Sequence, residues 1–136
     1  MYNEYLMHIP IYVSTSATLK NIRCLKASRD IKKGEIIESC PVILVPMAEY
    51  DHLESSILRN YDFDWNTEYE AVVLGYGSLF NHSFDANVTF EPDEDKKVMN
   101  YIADRDIRKD EELFINYAGN HQPHTPLDDE YLDCKY

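Results

Sequence analysis

The chain has 136 residues, which is the length of one domain. Hydrophobic residues make up 44% of it and charged residues 28%, a globular composition that excludes an intrinsically disordered chain. No apolar run approaches the ~18 residues of a membrane span, and no basic segment of a secretory signal precedes the first apolar residues. We therefore expect a soluble, intracellular protein without a membrane partner.

The charge of the chain is strongly negative. Thirteen basic residues stand against 25 acidic ones, a net charge of −12. Phosphate binding needs a basic surface, so this balance argues against nucleic acid as a direct ligand. It favours a basic protein or peptide as partner, and it also serves solubility alone.

The cysteines do not predict a disulfide framework or a zinc site. Cys24, Cys40 and Cys134 are odd in number, far apart and without a CxxC pair. We expect reduced thiols.

The predicted elements are mostly strands, separated by turns that contain few glycines. A helix is predicted over 47–61, where apolar residues recur at helical spacing after Pro46. A polar loop is predicted over 62–70 and an apolar, strand-like segment over 71–80. The other predicted strands are 11–13, 22–27, 36–45, with Pro41 marking an edge or a bulge, 87–91, 98–103 after a hairpin turn at 91–97, and 113–117. The segment from Asn120 is loop-like apart from 128–132, and the whole pattern predicts a mostly β domain.

One sequence repeat stands out. ASRDIKKGEII at 27–37 returns as ADRDIRKDEEL at 103–113, an offset of 76 residues. Each copy is a strand end, a charged turn and a second strand. The repeat by itself does not identify a chemistry.

The segment GYGSLFNHSFDANV (75–88) carries the residues best suited to chemistry. A Ser/His hydrolase is disfavoured, because adjacent side chains of an extended chain, such as His82 and Ser83, point to opposite faces. A metal site is a second alternative, and its candidate ligands are His82, Asp85, His121 and His124.

Four segments in order resemble the SET-domain family of protein lysine methyltransferases. NHSFDAN resembles the family's NHSxxPN motif, and EELFINYAG resembles the EELxxxYG motif that ends in the active-site tyrosine. The two copies of the repeat resemble the ATRDIKKGE segment and its counterpart before the tyrosine. The resemblance runs from about residue 12 to 119 and is closest to the minimal viral and bacterial members, which lack zinc modules.

The resemblance implies a mostly β (α+β), β-clip-like fold of several small curved sheets, with one main helix and a C-terminal pseudoknot. It implies a single SET domain over 1–119 and a tail over 120–136 that covers the active site, with Tyr131 or Tyr136 as candidates. S-adenosylmethionine is the implied cofactor, and a lysine in a basic protein, such as a histone, is the implied substrate. Minimal members can form homodimers, and the sequence leaves that assembly open.

The roles of single residues follow from the same resemblance. Tyr117 is the predicted catalytic residue. The predicted cofactor-binding residues are Asn81, His82, Arg23 and Cys24. The predicted substrate-channel residues are Tyr76, Phe90 and Ile115.

One segment and two single positions depart from the family pattern. Ile22-Arg23-Cys24 stands where the family has GxG and the backbone approaches the cofactor, so two side chains must be accommodated. Ala86 replaces the proline of NHSxxPN, and Asp110 replaces a turn glycine. The loss of GxG keeps an alternative open, a SET-like module that binds a basic peptide without methyl transfer. A third alternative is a small acidic β protein whose motifs match by coincidence.

Overall fold

Two small sheets make up the β structure of the residues that the computed structural model describes, 8–20 and 22–124. Within these residues there are nine strands. They are β1 (Ile11–Thr15), β2 (Arg23–Ala27), β3 (Ile36–Pro46), β4 (Asp62–Asp64), β5 (Tyr69–Val73), β6 (Asn81–His82), β7 (Val88–Asp93), β8 (Val98–Ala103) and β9 (Glu112–Ile115). The family resemblance correctly predicted a mostly β fold.

The four-stranded sheet has the order β1-β2-β9-β6. β1 pairs with β2 and β2 with β9, both antiparallel, whereas β9 and β6 run parallel. The late strand β9 therefore lies between two strands that precede it by many residues. This order brings the ends of β2, β6 and β9 to one place.

The five-stranded sheet has the order β4-β5-β3-β8-β7. The first half of β3 pairs with β8 and its second half with β5, and Pro41 lies where the partner changes. The register shift in β3 falls between Ile36 and Glu38. Pro41 therefore lies at a local edge, as predicted, while the bulge lies elsewhere in the strand. Pro41 is tolerated because the ladder on one side of the strand ends there.

The predicted helix over 47–61 is broken into three short pieces. They are a 3-10 turn at Met47–Glu49, the α-helix α1 at Tyr50–Glu54 and a second 3-10 turn at Ile57–Asn60. Two serines cause the break, because their side chains bond to nearby backbone groups in place of the helix. Ser55 Oγ donates to the carbonyl of His52, and Ser56 Oγ donates to the carbonyl of Leu53 and accepts from the amide of Leu58.

The segment predicted as a loop over 62–70 is partly strand. It contains β4 and the first residues of β5, which pair with each other. The strand-like segment predicted over 71–80 ends at Val73, and a 3-10 turn follows at Gly77–Leu79. These boundaries could not be predicted from the sequence, because short strands show little periodicity. Gly75 and Gly77 and the polar side chains of β4 weaken the pattern further.

The two copies of the sequence repeat bind each other. Ile31 and Ile107 form an antiparallel bridge, each amide donating to the other's carbonyl at 2.8 Å. The aspartate of each copy accepts from a lysine amide of the other, at 2.8 to 2.9 Å in the pairs Asp30–Lys109 and Asp106–Lys33. The repeat is therefore a reciprocal pair of turns that holds the two sheets' flanking loops together.

Gly34 and Asp110 occupy equivalent positions in these turns. Both have left-handed backbone, with φ of +87° and +70°. Glycine adopts this conformation freely, whereas aspartate adopts it at some cost. The replacement of the family's glycine by Asp110 thus leaves the turn intact.

One apolar cluster unites the two sheets. Leu25, Leu113 and Ile115 enter it from the four-stranded sheet, and Met99 and Tyr101 from the five-stranded sheet. Of the residues described, none belongs to a helix with the length and hydrophobicity that a membrane crossing requires.

Candidate functional site

The parallel pair β6–β9 builds the centre of the site. Asn81 lies beside Phe114 and His82 beside Ile115. The side chain of Asn81 is 3% exposed, and its Nδ2 donates to the carbonyl of Arg23 at 2.9 Å. The structure thus brings Asn81, His82 and Arg23 together from segments 58 residues apart.

Tyr117 follows β9 and is held at both ends. Its backbone amide donates to Nδ1 of His82 at 3.0 Å, and the two rings lie 5.1 Å apart between centroids. Its hydroxyl donates to the carbonyl of Phe80 at 2.6 Å. Since Nδ1 of His82 accepts this bond, the ring proton of neutral His82 is on Nε2. The Tyr117 hydroxyl is therefore fixed beside the NHS segment, while its catalytic role stays a prediction.

Aromatic rings form a wall near this hydroxyl. Phe90 is half-buried and lies 5.6 Å from Phe63 and 6.4 Å from Tyr101 between ring centroids. Tyr101 in turn stacks on Phe80 at 4.6 Å. Phe80 carries the carbonyl that binds Tyr117, so the wall and the hydroxyl share a residue. Phe80 and Tyr101 are fully buried, so the half-buried rings of Phe63 and Phe90 are the ones that can exclude water from, and attract, a cationic or methylated amine.

Ile115 lies beneath the site. It is fully buried, and its carbonyl accepts the amide of Ser83 at 3.0 Å. Ile115 is therefore a buried neighbour of His82, while its role as a channel residue stays a prediction.

Tyr76 lies in the turn before the NHS segment. Its amide donates to Glu38 Oε1 at 3.0 Å, and the thiol of Cys40 donates to the same oxygen at 3.1 Å. Burial and the Glu38 carboxylate raise the pKa of the Cys40 thiol, which keeps it protonated as a donor. Gly75 has φ of +63°, and a Cβ there would lie 2.6 Å from Glu38 Oε2. The carboxylate therefore fixes this turn, and a side chain at position 75 would have to displace it.

Two of the three residues in the altered GxG segment, Arg23 and Cys24, face opposite ways. In β2, side chains alternate, so Cys24 and Arg23 lie on different faces of the sheet. Cys24 is buried, and burial together with the nearby Glu112 raises its pKa. Arg23 is exposed, and the described residues offer it no salt bridge. The Cys24 thiol is thus buried against the core, while the Arg23 guanidinium is accessible to a ligand.

Glu112 also holds the loop that precedes this segment. Its carboxylate accepts from the hydroxyl of Ser16 at 2.8 Å and from the amide of Ala17 at 2.7 Å. The loop is therefore anchored to β9, the strand that leads to Tyr117.

The alternative chemistries find little support. Ser83 Oγ accepts the amide of Asp85 at 3.1 Å, as a turn residue does. Within 8–20 and 22–124, no three His, Cys, Asp or Glu side chains are placed to hold a metal ion. His121 instead pairs with Asp104 at 2.9 Å.

Several residues of the site were not predicted from the sequence. They are Glu38, Phe63, Phe80, Tyr101 and Asn120. Phe80 directly precedes the NHS motif, and Tyr101 alternates with polar residues in β8, so both had a weak signal as core residues. Tyr131 and Tyr136, predicted to cover the site, lie outside the described residues.

Comparisons with known proteins agree with this arrangement. The sequence model of the SET domain family matches residues 23–118. A histone-lysine N-methyltransferase of Schizosaccharomyces pombe, specific for lysine 37 of histone H3, is 35% identical over 119 residues, which is 85% of this chain and 80% of that protein. A crystal structure of a Plasmodium falciparum protein assigned as a histone methyltransferase superposes with a TM-score of 0.65 at 30% identity, over 82% of this chain and 95% of that one.

Proposed function

Because the chain belongs to the SET-domain family of protein lysine methyltransferases, we propose that it transfers methyl groups from S-adenosylmethionine to a lysine of a basic protein. The observation that carries this proposal is the placement of the Tyr117 hydroxyl on the Phe80 carbonyl, directly before Asn81 and His82. A histone is the substrate class that the yeast relative's name suggests. A histone substrate would place the protein in the nucleus.

The residues present suit the cofactor that this family uses. S-adenosylmethionine carries a methyl group on a sulfonium, which makes the methyl electrophilic. Its amino acid end needs one cation and one or more acceptors. Arg23 offers an exposed guanidinium for a carboxylate. Asn81 donates through Nδ2 to the Arg23 carbonyl, which leaves Oδ1 to accept from an ammonium.

Tyr117 and Phe80 would orient the lysine amine. Methyl transfer is an in-line displacement, so the lysine nitrogen must lie on the axis of the bond that breaks. A phenol and a carbonyl 2.6 Å apart offer two polar contacts for one nitrogen. The phenol and the carbonyl orient the lysine nitrogen, while the aromatic wall holds the rest of the lysine side chain.

The aromatic wall would also favour the neutral form of the lysine amine. Lysine in water has a pKa of roughly 10.4 and is protonated. An apolar channel disfavours the charged form, so the proton leaves to solvent as the side chain enters. The nitrogen lone pair is then free to attack the methyl carbon, and the product amine remains attracted to the rings.

The first experiment is calorimetric titration with S-adenosylmethionine, followed by methyl transfer to histones and other basic proteins. We expect micromolar binding and methylated lysine in the wild type. Tyr117→Phe should bind the cofactor and lose at least about a hundredfold in kcat, because it removes the group that orients the amine. Tyr50→Phe is the matched control, since its hydroxyl bonds to Glu54 in an exposed helix.

A failure would have a clear form. Absence of binding at millimolar cofactor would refute methyl transfer by the isolated chain. It would leave a SET-like module that binds basic peptides without methylating them, or a protein whose cofactor site is completed only by its partner. Equal activity of Tyr117→Phe and the wild type would refute the role of Tyr117.

A further inference from the structure

An asparagine beyond the catalytic segment makes a two-point contact with the aromatic wall. Asn120 Nδ2 donates to the carbonyl of Phe90 at 2.8 Å, and its Oδ1 accepts the amide of Phe90 at 3.1 Å. β7 is an edge strand whose only strand partner among the described residues is β8. Phe90 lies opposite Tyr101, with its N–H and C=O directed to the open edge. The Asn120 amide therefore takes the place of a neighbouring strand.

The position of Asn120 relative to Tyr117 is fixed by a tight turn. Asn116, 2% exposed, accepts the amide of Ala118 through Oδ1 and donates through Nδ2 to the carbonyl of Gln122, both at 3.0 Å. The amide of Gly119 also returns to the Asn116 carbonyl. These bonds span the segment on both sides of Asn120, so they connect Asn120 to the turn that contains Tyr117.

β7 is tied to the catalytic strand at its other end as well. Asn87 donates to the carbonyl of Glu112 at 2.8 Å and accepts the amide of Phe114 at 2.8 Å. Phe90 is thus held between two asparagines, one bound to β9 before Tyr117 and one placed after it.

We propose that Asn120 is a positioning residue that sets the separation between the Phe90 ring and the Tyr117 hydroxyl, and thereby the number of methyl groups the lysine receives. This inference rests on the proposed function. A primary amide is the side chain that offers one donor and one acceptor in the plane of a strand edge. Aspartate keeps the acceptor and loses the donor, whereas leucine keeps the shape and loses both.

The test compares Asn120→Asp, Asn120→Leu and the control Asn100→Asp. Asn100 lies next to Tyr101 in β8, and its Oδ1 accepts a hydrogen bond from Ser39, which an aspartate can also accept. The substrate is a synthetic peptide with one lysine among arginines, and mass spectrometry gives the mono-, di- and trimethyl products. Each variant's kcat is divided by that of the wild type at the same pH, which cancels the titration of the lysine itself.

At pH 8.5 we expect both Asn120 variants to lose about tenfold in kcat and to change the product ratio, since small misplacements near a reacting centre are costly. Asn120→Asp should lose at least as much as Asn120→Leu, because the introduced carboxylate faces the carbonyl of Phe90, an acceptor, where the amide had a donor. Asn100→Asp should resemble the wild type. An unchanged product ratio in the Asn120 variants overturns the proposal.

Two further measurements keep the result decisive. If Asn120→Asp does not fold at pH 8.5, Asn120→Gln keeps both polar groups but displaces them, and it should alter the product ratio. If the wild type transfers no methyl group, the proposed function fails by itself. The ratio of the affinities for unmodified and trimethylated peptides then reports on the separation between the Phe90 ring and the Tyr117 hydroxyl. If Asn120→Leu leaves this ratio unchanged, the inference is refuted.

Discussion

Tyr101 is a core residue whose hydroxyl has no evident structural role. It is 0% exposed, and its hydroxyl has no hydrogen-bond partner among the described residues. A buried hydroxyl without a partner costs free energy relative to water. Its ring, by contrast, stacks on Phe80 and supports the aromatic wall. Phenylalanine would keep the second property and remove the first.

Tyr101→Phe should therefore stabilise the protein. We expect the free energy of unfolding to rise by about 1 kcal/mol, which chemical denaturation measures. A fall in stability would show that the hydroxyl is bonded after all, for instance to a buried water.

Gly77 lies directly against this ring and leaves no room for a side chain. A Cβ there would meet Cε2 of Tyr101 at 2.8 Å and would also contact Cγ1 of Val73. Gly77→Ala should lower the free energy of unfolding by about 1–3 kcal/mol through overpacking. Combining it with Tyr101→Leu should recover part of the loss, because the smaller side chain frees space. Equal losses in the single and double variants would argue against a steric cause.

At the scale of single elements, β4 and β5 hold an unusual group of carboxyls. Glu70 is 8% exposed, and burial together with Asp62 and Asp64 raises its pKa to about 8. The folded protein therefore keeps a proton on Glu70 at pH values where the unfolded chain has lost it. Stability from this group is complete below pH ~4.5 and is lost as the pH rises towards 8.

Glu70→Gln should remove this dependence. Relative to the wild type, the variant should be most stabilised at pH 9 and little changed at pH 5, as thermal denaturation across the range would show. Glu68→Gln, at an exposed neighbouring position, is the control. A difference between Glu70→Gln and wild type that stays constant with pH would contradict the assignment.

The two reciprocal turns should contribute equally to stability. Asp30 and Asp106 each accept one backbone amide of the opposite turn, at nearly equal distances. Asp30→Ala and Asp106→Ala should each cost about 1 kcal/mol of unfolding free energy. Because the turns also share the bridge between Ile31 and Ile107, the double variant should depart from additivity. Strict additivity, measured by denaturation, would mean that the turns are independent.

These elements also show how far the sequence alone leads. The strands with regular alternation, such as β8, were predicted within a residue or two, and the ordered motifs correctly predicted the family. The broken helix was missed because two serines act through side-chain bonds that periodicity does not reveal. Asn120 was missed because its partner, Phe90, is 30 residues away, and such a contact appears only when the chain is folded.

For the molecule as a whole, the dominant physical property is its net charge of −12. A basic substrate is attracted over distances of about a Debye length, ~8 to 10 Å in physiological salt. Raising the salt concentration from 50 to 500 mM should raise KM for a basic peptide several-fold and change kcat little. Steady-state kinetics with a second peptide, in which glutamates replace the arginines, provide the control. Equal salt dependence for both peptides would show that attraction by the whole molecule is not involved.

The place of β9 between β2 and β6 has a consequence during synthesis. β9 is made after the other strands of the described residues, yet it is the strand partner of β6 and the second partner of β2. Asn81 and His82 therefore have no neighbouring strand until residues 112–115 have been synthesised and are free to pair. A nascent chain stalled before that point lacks β9 and Tyr117, so the site forms only when this segment is added.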